Sequence, residues 1–353
     1  MQFALLTFLK CPLTKEPLRF ELINTCQKLY GDKDITEIGE GLLFSETGFI
    51  FPVIKGIPRM LVEAVYDEED FLAKHVRDFY ARRAALEKKY PGTIAYCRDK
   101  NRRTKKSFAF EWSFLDDKKQ DKIWEGSQAD LGALFLKETN VSADFFQHKA
   151  VLDIGCGHGL MTSAISAFAP MTIGIELSLA VEKAYEKNQQ ANAWFVQADL
   201  QFLPFAQRSF DMLYSSGVIH HTNNTELSLS LIDPLLCPGG RICLWLYHPR
   251  KSTFHSFSLQ LRKIFSRLPL QLSFILLLIF VFPFSFLYKK IRNNQAPTYR
   301  EEMIYLLDAF TPEFRYEIPH DTATIWLAKR SYGEINISTQ DQFGYAINGI
   351  KTK

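Results

Sequence analysis

The sequence predicts an α/β fold built on a parallel sheet with helices on both faces. Three observations carry this expectation. Between residues 150 and 248, short unbroken apolar runs alternate with amphipathic stretches of helical length, and strands buried on both faces read as such continuous runs. A glycine-rich turn, Asp153-Ile154-Gly155-Cys156-Gly157-His158-Gly159, directly follows the first run. An acidic residue, Glu176, ends the second run, 21 residues after Gly155. In βαβ units a carboxylate at that place accepts hydrogen bonds from ribose hydroxyls.

Taken in order, residues 151–155 (VLDIG) are expected as a strand and 160–169 as a helix. Residues 172–176 (TIGIE) then form a strand and 179–190 a helix. Three further strands follow at 194–199 (WFVQAD), 210–216 (FDMLYSS) and 241–247 (RICLWLY), the last entered through the turn Pro238-Gly239-Gly240. A helix near 321–332 stops at Gly333. Residues 335–339 (INIST) and 345–348 (YAIN) are expected at the far edge of the same sheet.

The flanking segments differ in character. Residues 1–65 carry short apolar runs broken by Gly31, Gly39, Gly41, Gly48, Pro52, Gly56 and Pro58, the pattern of a small β-rich module with tight turns. Residues 66–148 read as a charged helical and aromatic connector. They contain the basic run Arg98, Lys100, Arg102, Arg103, Lys105, Lys106 and the aromatic cluster Phe108, Phe110, Trp112, Phe114. Residues 149–249 and 293–353 make the main domain, with 250–292 as an apolar helical insertion.

Composition excludes several classes. A net charge of +3 over 353 residues is too small to imply a nucleic-acid partner, and a charge run in a connector is usually a solvated face. Six cysteines without a C-x-x-C pair argue against a disulfide scaffold and a complete zinc site. No metal is expected. The N-terminal run MQFALLTFLK places its first charge after its apolar residues, the reverse of a secretory signal. A cytoplasmic location is therefore expected, and no sequence feature sets the oligomeric state.

The ligand of the turn follows from its spacing. Gly155, Gly157 and Gly159 let the backbone turn sharply and approach a ligand closely. A dinucleotide turn would place its third glycine at position 160, which is Leu160. Asp153, at the entrance, would repel a pyrophosphate, but suits the ammonium and neighbouring positive charge of S-adenosyl-L-methionine. Because ligands of such sheets lie beyond the carboxyl ends of the strands, the expected cofactor contacts are Asp153, Gly155, Cys156, Gly157, Gly159, Glu176, Leu177, Asp199, Leu200 and Ser215. Asp199 ends the third strand, where its neighbourhood can hydrogen-bond the adenine amino group.

The successive phrases VLDIGCGHG, GIELS, QADLQFLPF, SFDMLYSSGVIHHT and LCPGGRICLWLY resemble the ordered motifs of class I S-adenosylmethionine-dependent methyltransferases. The resemblance runs from about residue 150 to 248. It implies a Rossmann-like seven-stranded sheet and methyl transfer. SFAFEW (107–112) resembles a phrase that precedes this domain in a bacterial subgroup, which implies that Trp112 helps cover the cofactor or substrate. If the acceptor is a hydroxyl or amine, a base must take its proton. His220 and His221, in SSGVIHHT, are the candidate catalytic residues. The competing reading has them packing at a helix start opened by Thr222 and Asn223.

The phrase Cys11-Pro12-Leu13-Thr14-Lys15-Glu16-Pro17-Leu18, with GFIFPVIKGIPRML at 48–61, resembles a small zinc-ribbon-like family. Its members activate tRNA- and protein-modifying methyltransferases or are fused to them. Thr14 stands where the metal-binding form has a second cysteine, and 41–48 (GLLFSETG) lacks the later pair. One thiolate cannot hold a structural zinc, so a fold without its metal is expected.

Residues 268–288 (LPLQLSFILLLIFVFPFSFLY) are the least typical for a soluble enzyme. Residues 270–287 give 18 positions without formal charge, near the lower bound for a membrane span. Arg262, Lys263 and Arg267 precede them and Lys289, Lys290 and Arg292 follow. A crossing would separate the closing strands from their sheet. Two readings remain: a helical cap over the site, and a peripheral membrane contact with basic flanks on anionic headgroups. Both point to an apolar or lipid-linked small-molecule acceptor. The alternatives are a non-catalytic cofactor-binding scaffold and a methyltransferase acting on tRNA or protein.

Overall fold

The computed structural model describes residues 1–113, 128–292 and 298–353. The N-terminal segment builds a hairpin, β1 (Leu18–Tyr30) with β2 (Lys33–Ser45), continued antiparallel by β3 (Ile50–Ile54) and β4 (Ile57–Met60). Helices α1 (Ala64–Asp67), α2 (Glu69–His75), α3 (Phe79–Lys89), α4 (Thr93–Ser113) and α5 (Gln128–Thr139) follow. The member Phe114 of the expected aromatic cluster lies outside the described residues.

The alternating pattern then becomes β5 (Ala150–Ile154), α6 (Leu160–Ile165), β6 (Met171–Glu176), α7 (Ala180–Lys187), β7 (Ala193–Ala198), β8 (Phe210–Ser216), α8 (Thr225–Ile232) and β9 (Leu236–Tyr247). Strand β9 includes the Pro238-Gly239-Gly240 turn. Period-two alternation sends successive side chains to opposite faces. Leu152 and Ile154 join the main core, while Val151, Met212 and Tyr214 pack on Phe135 and Phe146 across the sheet.

The insertion comprises α9 (Thr253–Phe265), α10 (Leu270–Leu276), a π-helical stretch (Leu277–Val281) and α11 (Phe282–Arg292). The wide turn lies immediately before Pro283, whose ring excludes an ordinary i→i−4 bond. Helices α12 (Tyr299–Phe310) and α13 (His320–Lys329) lead to β10 (Tyr332–Gln340) and β11 (Gly344–Lys351).

All strands form one sheet in the order β1-β2-β3-β4-β7-β6-β5-β8-β9-β11-β10. Among the described residues, β5–β11 supply seven of its strands and β1–β4 add four more, so the N-terminal strands continue the same sheet instead of standing apart from it. The N-terminal strands extend its edge, because β4 pairs in parallel with β7 through Arg59–Gln197 and Met60–Ala198. Buried Arg59 secures that junction, donating to Gln197 Oε1 at 3.2 Å and to Glu182 Oε1 at 2.5 Å. Strands β5 to β9 are parallel, and β11 closes antiparallel on β9. The chain starts at central β5, runs outward to β7 and returns beside β5 as β8. This reversal opens a crevice at the carboxyl ends of β5 and β8.

Candidate cofactor and acceptor site

The crevice is shaped first by backbone. Gly155 and Gly157 have φ of 78° and 55°, a region costly for residues with a Cβ. A Cβ on Gly157 would lie 2.8 Å from the Trp112 ring, and one on Gly155 would lie 2.4 Å from Val218. Trp112, from the end of α4, thus presses on the turn, stacks on His158 at 4.6 Å and accepts at its carbonyl from Lys183 Nζ at 3.1 Å. The Cys156 N–H donates to Ile175 O at 2.9 Å, which ties the turn to β6.

Three carboxyl groups gather here. Asp153, at the end of β5, accepts from Thr162 Oγ1 at 2.6 Å, and burial pushes its carboxyl up to about 7. Glu176 accepts from the N–H groups of Gly157 and Ser178 at 3.2 and 2.8 Å, yet burial still raises it. Glu111, next to Trp112, is raised well above the ordinary range by burial, by Asp308 and by Glu176. Among the described residues its Oε2 has no hydrogen-bond partner. Among the described residues no cation is within ion-pair distance of any of the three. Carboxyls buried without counter-charge disfavour ionisation, and a ligand bearing a sulfonium and an ammonium supplies the missing charge. The residues present therefore fit S-adenosylmethionine.

The other expected contacts are placed differently. Asp199 Oδ2 accepts from Lys100 Nζ at 2.6 Å and Asn101 Nδ2 at 3.0 Å, while Oδ1 accepts from the Gln201 N–H at 2.9 Å. Its side chain thus fastens α4 to the sheet. Part of the basic run is consequently turned inward rather than solvated: Lys100 pairs with Asp199, and Lys105 with Glu63 and Asp67. Leu177 takes part through its carbonyl, which accepts from Gln197. Leu200 packs on the main core. Ser215 is buried, with Oγ 3.5 Å from Ile154 O, so it lies between strands.

Beyond the end of β8, a 3₁₀ turn (Ile219–His221) carries both candidate histidines into the interior. The following helix is capped by Asn224, which accepts from the Leu227 N–H. Thr222 and Asn223 do not open it, because Thr222 Oγ1 is turned back to Ile219 O. His221 Nδ1 is 3.0 Å from Phe314 O. A carbonyl only accepts, so Nδ1 carries the hydrogen and Nε2 has the lone pair. Nε2 faces Asp308 Oδ1 at 3.5 Å, and Tyr247 donates to Asp308 Oδ2 at 2.7 Å. Burial lowers the His221 pKa, although Asp308 opposes the shift. His220 lies against Tyr247 at 4.2 Å between ring centroids, and burial, His221 and Arg315 hold it well below the ordinary imidazole range.

Glu111, Asp308 and Tyr247 escaped sequence reasoning. Glu111 had a signal, since it sits inside SFAFEW beside Trp112. Asp308 had none: it lies on an amphipathic helix far along the chain, and only tertiary folding brings it to His221.

Residues 152–244 match the methyltransferase domain family. An uncharacterized methyltransferase of Mycobacterium bovis is 27% identical over 97 residues, 27% of this chain and 49% of the relative. The malonyl-[acyl-carrier protein] O-methyltransferase of Legionella pneumophila is 34% identical over 96 residues, 26% of this chain and 34% of the relative. This chain thus spans about half or less of these curated relatives. A crystal structure of an S-adenosylmethionine-dependent methyltransferase from Mesorhizobium loti is 15% identical. It overlaps 64% of this chain and 100% of its own, with a TM-score of 0.40. The glycine turn and the uncompensated carboxyls fit the cofactor S-adenosylmethionine, in keeping with the match of residues 152–244 to the methyltransferase domain family.

Proposed function

We propose that the whole chain transfers a methyl group from S-adenosylmethionine to a hydroxyl or amine of an apolar or lipid-linked acceptor, with His221 as base. One observation carries this reading. Among the described residues, four buried polar atoms without hydrogen-bond partners lie between α4 and the end of β8: Glu111 Oε2, both ring nitrogens of His220, and His221 Nε2. Natural interiors satisfy almost all such atoms, which supports the reading that a ligand supplies polar partners here. Apolar rings adjoin it, with Phe108 edge-on to His221 at 5.7 Å and Trp245 near His220 at 6.1 Å.

When bound, the cofactor supplies an electrophilic methyl on a sulfonium. Asp153, Glu176 and Glu111 offset its positive charges, with Gly155, Gly157 and Gly159 admitting it closely and Cys156 holding the turn on β6. Trp112 excludes water from the turn. The acceptor proton passes to His221 Nε2, and Asp308 stabilises the imidazolium that results. Phe314 O keeps the ring in the tautomer that can accept. His220 stays neutral and hydrogen-bonds the acceptor without taking its proton. Such positioning and proton removal is the protein's main contribution to a displacement reaction.

Calorimetry with S-adenosylmethionine, followed by label transfer from the cofactor into a lipid extract, tests the proposal. Binding without transfer to any extract would leave a cofactor-binding scaffold.

A further inference from the structure

Among the described residues, the insertion α9–α11 packs on the rest of the chain by one side. Leu277, Phe274 and Val281 pack on α12 through Met303 and Leu306. The other side is apolar and open, with Phe280 64% exposed, Phe284 74% and Ile291 77%, alongside Ile264, Ile275 and Leu287. The helical run Leu270–Ile291 has 22 residues, and 11% of its most apolar window is buried in the protein. A run of that length spans about 33 Å, enough to cross a bilayer. The sheet forbids a single crossing, because β9 precedes the run, β11 follows it, and the two are paired from Gly344–Tyr247 to Ile350–Arg241. Both ends of the segment are therefore held on one side.

Beside the start of this run lies a cavity of about 420 Å³ lined by Arg103, Arg262, Lys263 and Arg267, with Glu313 as its one acid. Arg103 donates to the carbonyls of Phe265 and Leu268, and Arg262 to that of Pro312, but the Nε of each is buried without a partner. Among the described residues neither guanidinium has a carboxylate in ion-pair range. Burial and the nearby Arg315 lower Arg262 to about 10. Cations withdrawn from water without counter-ions are unfavourable, and guanidinium groups are suited to phosphate. The cavity also includes Phe314, whose carbonyl holds His221.

We propose that α9–α11 dock on the surface of a bilayer bearing anionic phospholipids. The open apolar face sinks into the acyl boundary, and the Arg103–Arg262–Lys263–Arg267 cavity seats a headgroup phosphate. Charge complementarity commits the face to lipid: a ring of cations beside an exposed apolar helix is the pattern of an interfacial element. Docking orients the Phe314 loop toward the lipid, so an acceptor dissolved in the bilayer reaches His221 without passing through water. This last step rests on the proposed methyl transfer, whereas docking itself does not.

The test is vesicle flotation of the full chain. The intact protein floats with phosphatidylcholine vesicles containing phosphatidylglycerol, and much less with phosphatidylcholine alone. Lys263→Gln/Arg267→Gln lowers the partition coefficient by about thirtyfold, from about fivefold per cation at an anionic surface. Phe280→Ser/Phe284→Ser abolishes flotation while leaving the thermal midpoint and S-adenosylmethionine affinity unchanged. Absence of flotation by the intact protein, equal binding to neutral vesicles, or sedimentation as a dimer that buries the apolar face would each overturn the proposal. Flotation without methyl transfer would instead remove the functional reading and leave docking in place.

Discussion

Asp308 Oδ1 stands 3.5 Å from the Nε2 of His221, whose other ring nitrogen is fixed on Phe314 O at 3.0 Å. The carboxylate faces a lone pair until a proton arrives there, and then faces a cation. In the proposed reaction the pair would favour the state formed after the acceptor has lost its proton. Asp308→Asn is expected to lower kcat by 10²–10⁴, the range of a positioned general base, with the S-adenosylmethionine Kd within twofold. His221→Asn should lower it similarly, and the double variant no further, because groups acting as a unit are not additive. Full turnover in both single variants, measured by label transfer, would exclude the pair.

With His221 as the proposed base, its lowered pKa should set the acid side of the rate profile. The ring stays neutral below the ordinary imidazole value of about 6.5, so the wild-type rate persists below that pH before it falls. In Asp308→Asn the carboxylate that opposes the shift is gone, and the inflection moves to still lower pH. A single-turnover pH series on both proteins reads the displacement.

Cofactor binding should release protons. A carboxyl raised to about 7, as Asp153 is, holds a proton below that pH, while a cationic ligand favours the ionised form. Affinity for S-adenosylmethionine therefore rises from pH 5 to 7 and then levels, and calorimetry in buffers of different ionisation enthalpy at pH 6 shows net proton release. S-adenosylhomocysteine, lacking the sulfonium charge, shows less. The same raised carboxyl weakens the ligand-free fold as pH climbs from about 4 to about 7, since the unfolded chain ionises first.

Gly157→Ala should weaken cofactor binding at least tenfold, because the added methyl meets the Trp112 ring at 2.8 Å on a backbone with φ of 55°. Gly157→Ala/Trp112→Ala relieves the clash but not the backbone strain of about 1–2 kcal/mol. The double variant should thus recover part of the binding, and Trp112→Ala alone should weaken it. Equal affinities across the series would show that α4 does not cover the turn.

Arg59→Met should destabilise the protein by about 1.5–3 kcal/mol, the loss of charged hydrogen bonds to Gln197 and to the partly exposed Glu182. Arg59→Met/Glu182→Gln should recover part of that loss in thermal unfolding. No change in either would mean that β4 is held on β7 by its backbone pairing alone.

Much of the catalytic half is legible in the residues themselves. The runs at 150–248 appear as β5–β9 with boundaries shifted by a few residues, and 335–348 as β10 and β11 at the sheet edge. Such features are local, because burial on two faces writes continuous apolar runs and a sharp turn requires glycine. Where the expected pattern was exceeded, long-range pairing was responsible. Nothing in residues 57–60 announces a parallel partner at 197–198, so a separate small module was the natural expectation. The inward lysine at 100 was hidden for a related reason: a basic run looks solvated until Asp199 is placed beneath it.

The sequence by itself determined the glycine turn, the acids at 153 and 176, the strands and helices of the parallel half along the chain and the apolar insertion. These follow from backbone sterics and hydrophobic periodicity, which act over a few residues. Only the tertiary structure decided that Glu111 completes a cluster with Asp153 and Glu176, that Asp308 faces His221, and that β1–β4 extend the sheet. It also decided which side of α9–α11 is left uncovered. Each of these depends on chain segments distant in sequence, and electrostatic and packing interactions depend on distance in space, which no local pattern records.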